Sequence, residues 1–434
     1  MNSDTHVVIL GGGFAGLKLA RKLSNRSGFR VTLVDRFNYH QFQPLFYQVA
    51  TGGLDASNIS FPLRKAFQHS RNVRILLDHV ESIDTANREV VTNHGRLPYD
   101  LLVIATGADT NFFGNPQLEA YTWPMKSTVE ALQLRHKLIA NFEAYLHATH
   151  DEERRRLLTV AVVGGGPTGV ELSGAIAEMR QYVLPKDYPE IDFAQMRIVL
   201  VEGTGRLLGA MSPGSSQKSE HYLRAMGVEV LTNTLLDSYD GNTLTFKGGN
   251  TLDAGLVIWA AGIKGNVPEG IDPGMVARGN RIMVDRLNRV SGLNDVFALG
   301  DVAYMQTPLY PNGHPQVANV AVNQAANLGA NLLRFGADFS KWKPYEYNDL
   351  GSMATVGRNK AVVDFAKPSM HFGGLLAWLV WMFLHLMLIL GVKNKLMVFI
   401  NWMYNYLTYD QSLRLIFREF DRDKTAPPAA SKVG

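Results

Sequence analysis

The chain contains no cysteine in 434 residues. Without a thiol there is no disulfide framework and no dithiol redox relay, which excludes glutathione-reductase-type and sulfide-oxidising chemistry. An iron–sulfur cluster loses its usual ligands by the same absence, and no metal site is expected. Charge is also scarce: 19% of residues are charged and the net charge is only +4, too mild to argue for a nucleic-acid partner. No signal-peptide pattern opens the chain, because Met1 to Thr5 is short and polar and runs straight into an apolar strand. The nucleotide-binding part described next is therefore expected to face the cytoplasm or an equivalent compartment.

What is present is apolar and ordered by glycine. His6 to Leu10 reads as a buried strand, Gly11 to Gly16 as a G-x-G-x-x-G turn with Phe14 and Ala15 opening a helix, and Arg30 to Val34 as a second strand ending on Asp35. Gly11 turns the chain sharply, Gly13 lets backbone approach a pyrophosphate, and Gly16 packs the helix on its strand. Asp35 follows Gly16 by nineteen residues, where a carboxylate can accept hydrogen bonds from an adenosine ribose. Together these predict a dinucleotide site.

The pattern then recurs. Leu158 to Val163, the turn Gly164, Gly166 and Gly169, a helix over Val170 to Met179, and Arg197 to Val201 ending on Glu202 repeat the first unit. Tyr99 to Gly107, a strand running into the small turn Ala105-Thr106-Gly107, is matched by Ala254 to Gly262. Gly11 to Ala105 spans 94 positions and Gly164 to Ala260 spans 96, so the chain carries an internal duplication. One departure is the second crossover, where Gly169 to Glu202 covers 33 residues and includes Pro185 and Pro189; an extra loop is expected there. Glu202 favours an unphosphorylated ribose, hence NADH over NADPH, although Arg206 is close by. Two dinucleotides face to face imply hydride transfer between them, and the usual acceptor is a flavin.

Asn294 to Asp301 delivers an aspartate after a glycine, Gly300-Asp301, suited to ribitol hydroxyls, with a following helix whose N-terminus can point at the ring system. Phe37 to Gly53 is aromatic-rich. Its residues fit equally a loop pinned to the core and a flat wall beside a planar ring, with Pro44 and Leu45 approaching it. Ser127 to Glu130 has capping-box form and predicts a helix to about Ala148, whereas Asp151 to Arg156 reads as a solvated connection.

These motifs, with Ala260 to Lys264, Val49 to Gly52 and Gly351 to Arg358, resemble the two-dinucleotide-binding-domain flavoproteins and, within them, the type II NADH:quinone oxidoreductases, the non-proton-pumping respiratory NADH dehydrogenases. The resemblance covers nearly the whole chain. It implies an α/β fold of two Rossmann-like domains of the glutathione-reductase kind: an FAD domain (1–112 and 265–345), an NADH domain (113–264) and a C-terminal helical membrane-anchoring region (346–434). It also implies a homodimer and a membrane quinone, ubiquinone or menaquinone, as acceptor. Glu171, in the first turn of the second nucleotide helix and matched by Lys18 in the first repeat, reads on its own as a solvated residue offsetting the macrodipole. The resemblance gives it a different role, assisting proton delivery where nicotinamide, flavin and quinone meet. The family's A-Q-x-A-x-Q is here Ala318 to Asn323, with Asn319 and Asn323 at the glutamine places and Gln316 and Gln324 nearby. Asparagine keeps the amide and shortens its reach by one methylene, and quinone contacts are expected from Gln316, Asn319 and Asn323.

Phe372 to Leu390 is nineteen residues without a charge apart from His385, long enough to raise a transmembrane reading. Lys393 and Lys395 follow, Leu396 to Leu407 repeats the apolar pattern, and Leu413, Ile416, Phe417 and Phe420 form a helical stripe with Arg414 and Arg418 opposite. Two amphipathic helices after a single span would lie on the wrong side of the basic flank. The end is therefore expected to be monotopic, on the cytoplasmic face of the inner membrane, held by apolar contact and anionic lipid, with the tail from Thr425 disordered. Two rival functions remain compatible with the residues: an NADH-dependent flavoprotein reducing a soluble acceptor, and a membrane-associated flavin redox sensor.

Overall fold

The structure, a computed structural model, describes residues 4–336 and 338–417. Its first sheet orders the strands Val296–Ala298, Leu101–Ile104, Thr5–Leu10, Phe29–Asp35 and Val73–Leu77, all parallel. The second orders Trp123–Pro124, Leu256–Trp259, Thr159–Val163, Arg197–Val201 and Glu229–Leu231, also all parallel. A parallel sheet is covered on both faces, which is why its central strands are uninterrupted apolar runs instead of alternating ones.

The duplication is visible in individual bonds. Gly11 N–H donates to Val34 O and Gly164 N–H to Val201 O, each at 2.7 Å. Both glycines have positive φ, and a Cβ on either would lie within 2.5 Å of the carbonyl of Ala105 or Ala260. No other residue fits such a turn. Each unit also contains a three-stranded antiparallel meander that the sequence reading did not anticipate: Val80–Asp84, Glu89–Thr92 and Gly95–Pro98 in one, Leu236–Tyr239, Thr243–Phe246 and Thr251–Asp253 in the other. The strands Ala108–Thr110 and Ile263–Gly265 pair antiparallel where the chain crosses between the two sheets.

The helix predicted from the capping box runs Thr128–His147, with Ser127 Oγ accepting from Glu130 N–H and the Glu130 carboxylate accepting from Ser127 N–H. Asp151–Leu157 is a short exposed helix and not a connection: three acids in its first turn and three arginines in its last complement its dipole. The second nucleotide helix, Pro167–Glu178, does not stop at Met179. It widens into a π-helical turn, Met179–Val183, and a further helix, Leu184–Asp187, so helix takes up much of the excess read as an extra loop.

A last antiparallel meander, Ser352–Gly357, Lys360–Phe365 and Met370–Gly373, packs against that helix and leads into Leu375–Leu388 and Val392–Thr408. The nineteen-residue apolar run is thus split between a strand end and a fourteen-residue helix. Among the described residues no helix is long and apolar enough to cross a membrane. Trp381 and Trp402 face inward, whereas Leu379, Phe383, Leu388, Leu396, Phe399 and Leu407 form an exposed apolar face. Asn394 Nδ2 donates to the carbonyls of Ser57, Asn58 and Ser60, and Asn405 Nδ2 to Gly53 O, fixing the pair on the first domain. The stripe expected as a helix from Leu413 is not helical through Phe417. Arg414, expected at the lipid surface, pairs with Asp187 and Asp410 instead. Arg418, Phe420 and the tail lie outside the described residues.

Candidate functional site

The two fingerprint turns open onto one cleft of about 840 Å³. Gly11, Gly13, Phe14, Ala15, Thr106, Gly107, Gly300 and Asp301 line it from the first unit, and Gly166, Pro167, Thr168 and Gly262 from the second. Gly13 and Gly166 have no atom within 4 Å of where a Cβ would stand, so bare backbone faces the cleft at both turns. Gly16 and Gly169 sit beneath, where a Cβ would strike the carbonyls of Gly11 and Gly164. The residues present therefore fit two pyrophosphates, each on exposed backbone at a helix start.

The acids are held alike in both halves, although Asp35 lines the cleft and Glu202 stands behind Gly165 without lining it. Asp35 accepts from Gly12 N–H at 2.5 Å and from Phe37 N–H at 2.7 Å. Glu202 accepts from Gly165 N–H at 2.6 Å and from Thr204 N–H at 2.7 Å. Both oxygens of Asp35 keep a lone pair for a ribose hydroxyl, and in Glu202 it is Oε2 that does, since Oε1 also accepts from Thr204 Oγ1. Arg206 is tied to the carbonyls of Gly209 and Met211, which leaves Glu202 to set the charge at the strand end. Burial raises Asp301, opposed by Lys126 and Arg281. Gly300 N–H is held by Gln324 Oε1 at 2.7 Å. The helix Ala318–Phe335 begins at the cleft with Val317 and Ala318, and no side chain caps it.

Phe37 to Gly53 resolves both of its readings. Phe37, Tyr39, Gln41, Gln43 and Pro44 line the cleft, and Phe42, Phe46 and Val49 belong to the core. Leu45 is also core, fully buried, and does not line the cleft as expected of it.

A second cavity, about 130 Å³, adjoins the first. That is the scale of a single six-membered ring. Three segments pass from one space to the other: Pro44 lines the cleft and Tyr47 the cavity, Pro167 the cleft and Glu171 the cavity, Ser352 the cleft and Thr355 the cavity. Glu171 is the fifth residue of its helix, one turn deeper than expected, so it points at this cavity and not at the pyrophosphate end. Lys18, its counterpart, is exposed. Burial pushes the Glu171 carboxyl up to about 8, against a weak bond from Thr355 N–H at 3.4 Å and the nearby Trp381 indole.

The expected quinone residues fare differently. Gln316 lines the cleft and donates to Asp301 O at 2.9 Å. Asn319 donates to Asn348 O and accepts from Asn323, and neither asparagine lines either space. The shortened amides satisfy each other one helical turn apart. Residues around the second cavity that sequence reasoning did not select include Tyr47, Gln48, Thr51, Glu178, Trp381 and Gln411. One signal was available: Glu171 and Glu178 are seven apart, two turns of a helix, and so share a face.

Residues 5–325 match the family pattern of the pyridine nucleotide-disulphide oxidoreductases, and residues 350–409 that of an NDH2 C-terminal domain. A chain without cysteine has no counterpart to the disulphide in the first name. The type II NADH:quinone oxidoreductase Ndh of Mycobacterium tuberculosis is 35% identical, covering 93% of this chain and 88% of that protein. The type II NADH:quinone oxidoreductase of Haemophilus influenzae is 30% identical, covering 82% and 86%. The solved structure of NDH2 from Plasmodium falciparum in complex with NADH matches with a TM-score of 0.86 over 96% of this chain and 100% of that one, at 20% identity, a likeness of fold.

Proposed function

The chain belongs to the type II NADH:quinone oxidoreductases, and from that membership we propose that it oxidises NADH through a bound FAD and reduces a quinone drawn from a lipid bilayer, moving no charge across it. The overall change is NADH, a proton and quinone to NAD⁺ and quinol. FAD, when bound, accepts hydride from NADH and passes two electrons on. The observation that carries the reading is the passage of three segments, through Pro44, Pro167 and Ser352, from the shared cleft to the ring-sized cavity.

Gly11 to Gly16, Asp35, Thr106, Gly107, Gly300 and Asp301 would hold FAD, and Gly164 to Gly169, Glu202 and Gly262 would hold NADH. The open N-terminus at Val317 and Ala318 favours negative charge developing nearby. Glu171 keeps its proton at neutral pH because it is buried, which suits a group that gives one proton to the reduced quinone. Gln48 and Thr51 line this cavity where Asn319 and Asn323 do not, Gln48 held by Tyr47 and Trp402 and Thr51 donating to Tyr47 O. His385, stacked on Trp381 and pushed down to about 4 by burial, carries no charge there.

The exposed apolar face of Leu375–Leu388 and Val392–Thr408 supports a monotopic attachment, with Lys393 and Lys395 in the first turn of the second helix suited to anionic headgroups. Anaerobic mixing with NADH tests the whole reading. Flavin absorbance should bleach and then return on addition of a ubiquinone or menaquinone analogue; a protein that is colourless and cannot be loaded with FAD would overturn it.

A further inference from the structure

The second cavity contains polar atoms that nothing in the chain satisfies. Arg358 Nη1 and Gln411 Oε1 are buried without a hydrogen-bond partner among the described residues, Trp381 Nε1 has none but the adjacent Glu171 carboxyl, and all three residues line this one space. Leaving such a group unpaired costs about 1–3 kcal/mol, more when it is charged. Groups of this kind in one small cavity mark it as shaped for a ligand that is an acceptor as a quinone and becomes a donor as a quinol.

They fall at two ends. Trp381 accompanies Glu171 and Thr355. Arg358 accompanies Glu178, whose carboxylate accepts from Arg358 N–H at 2.5 Å. Seven residues of helix separate Glu171 from Glu178, a rise of roughly 10 Å. The strand Ser352–Gly357 leads from Thr355 to Arg358, three residues on, in the hairpin turn that follows it. A para-quinone has its oxygens about 5 Å apart, and a hydrogen bond of about 2.8 Å at each end brings the span to roughly 11 Å. The backbone offset between the two carboxylates is therefore comparable to one quinone ring bonded at both carbonyls.

The guanidinium of Arg358 is fixed for this task. It lies over the rings of Tyr406 and Tyr409, 3.9 Å from each centroid, so its plane is set from both sides before anything binds. We propose that Arg358, clamped between Tyr406 and Tyr409, binds the quinone carbonyl distal to Glu171 and stabilises the negative charge that grows on that oxygen during reduction. This rests on the reading of the cavity as the quinone site. Arg358 supplies hydrogen bonds and charge, and no proton leaves it.

The test compares two probes in the FAD-loaded protein: menadione, with two carbonyls, and 1-tetralone, with one. Binding is read at equilibrium from quenching of the cavity tryptophans Trp378, Trp381 and Trp402. Wild type should bind menadione about tenfold to a hundredfold more tightly than 1-tetralone, the worth of one charged hydrogen bond. R358Q should bind the two alike, with the quinone KM raised while flavin bleaching by NADH keeps its rate. Equal discrimination in wild type and R358Q would overturn the proposal. Should R358Q not retain flavin, R358M, which removes both the charge and the donors at similar length, decides by the same comparison. A175F, which fills the cavity between Glu171 and Glu178, separates the two levels: unchanged quinone turnover there removes the quinone site itself, whereas blocked turnover with an indifferent R358Q removes only the anchor.

Discussion

Glu171 and Glu178 share one helix face and are held by one hairpin, Thr355 N–H donating to the first and Arg358 N–H to the second. Between them lies Gly174, where a Cβ would stand 1.7 Å from the Val356 carbonyl oxygen. The missing side chain lets the strand lie against the helix backbone, and that close approach sets both carboxylates at once.

Gly174→Ala should therefore disturb both ends of the cavity. The strand must retreat, an overpacking cost of about 1–3 kcal/mol, seen as a lower melting temperature. Quinone turnover should fall more than the rate at which NADH bleaches the flavin. Equal losses in the two rates would mean that the approach serves stability alone.

Glu171→Gln should slow quinone turnover by about a hundredfold or more and leave the NADH KM nearly unchanged. Wild-type turnover should decline as pH rises past about 8, where the carboxyl loses its proton, and the variant should show no such decline. Stability carries the same sign. The folded carboxyl holds its proton up to about 8 and the unfolded one only to about 4.5, so wild-type stability relative to the variant is greatest below 4.5 and is lost as pH rises through 8. Parallel pH profiles for the two proteins would return Glu171 to a purely structural role.

Glu202→Ala removes the acid at the second ribose. The KM for NADH should rise about tenfold, and the preference over NADPH should shrink, because a 2′-phosphate no longer meets a carboxylate. An NADH-to-NADPH ratio of kcat/KM identical to wild type would sink this assignment.

Leu388→Glu and Leu407→Glu place charge on the exposed apolar face, at side chains 67% and 72% exposed and outside both cavities. Each should reduce co-sedimentation with anionic vesicles by about tenfold or more. Turnover with a short-chain quinone should persist. Unchanged co-sedimentation in the double variant would show that another surface meets the lipid.

Much of the fold was legible because its determinants are local. Gly11 and Gly164 are required by a backbone turn, and the apolar strands beside them by burial on two faces, so the duplicated units could be read from spacing. The capping box at Ser127 is equally local. Leu45, Asn319 and Asn323 show the boundary of that legibility. Their residue types suited a site, but which side of a loop or helix faces the ligand depends on what packs against the other side. Leu45 was taken by the core, and the two asparagines by each other and by Asn348.

By itself the sequence determined two glycine-turned nucleotide units, an acid at the end of each second strand, and a chemistry without thiols, since each follows from residues close together in the chain. Only the tertiary structure decided that Tyr47, Glu171, Arg358, Trp381 and Gln411 surround a single ring-sized space. These come from five separate segments, and their meeting rests on long-range packing, the Gly174 approach and the docking of the C-terminal helices through Asn394 and Asn405, for which no spacing within one segment gives a sign.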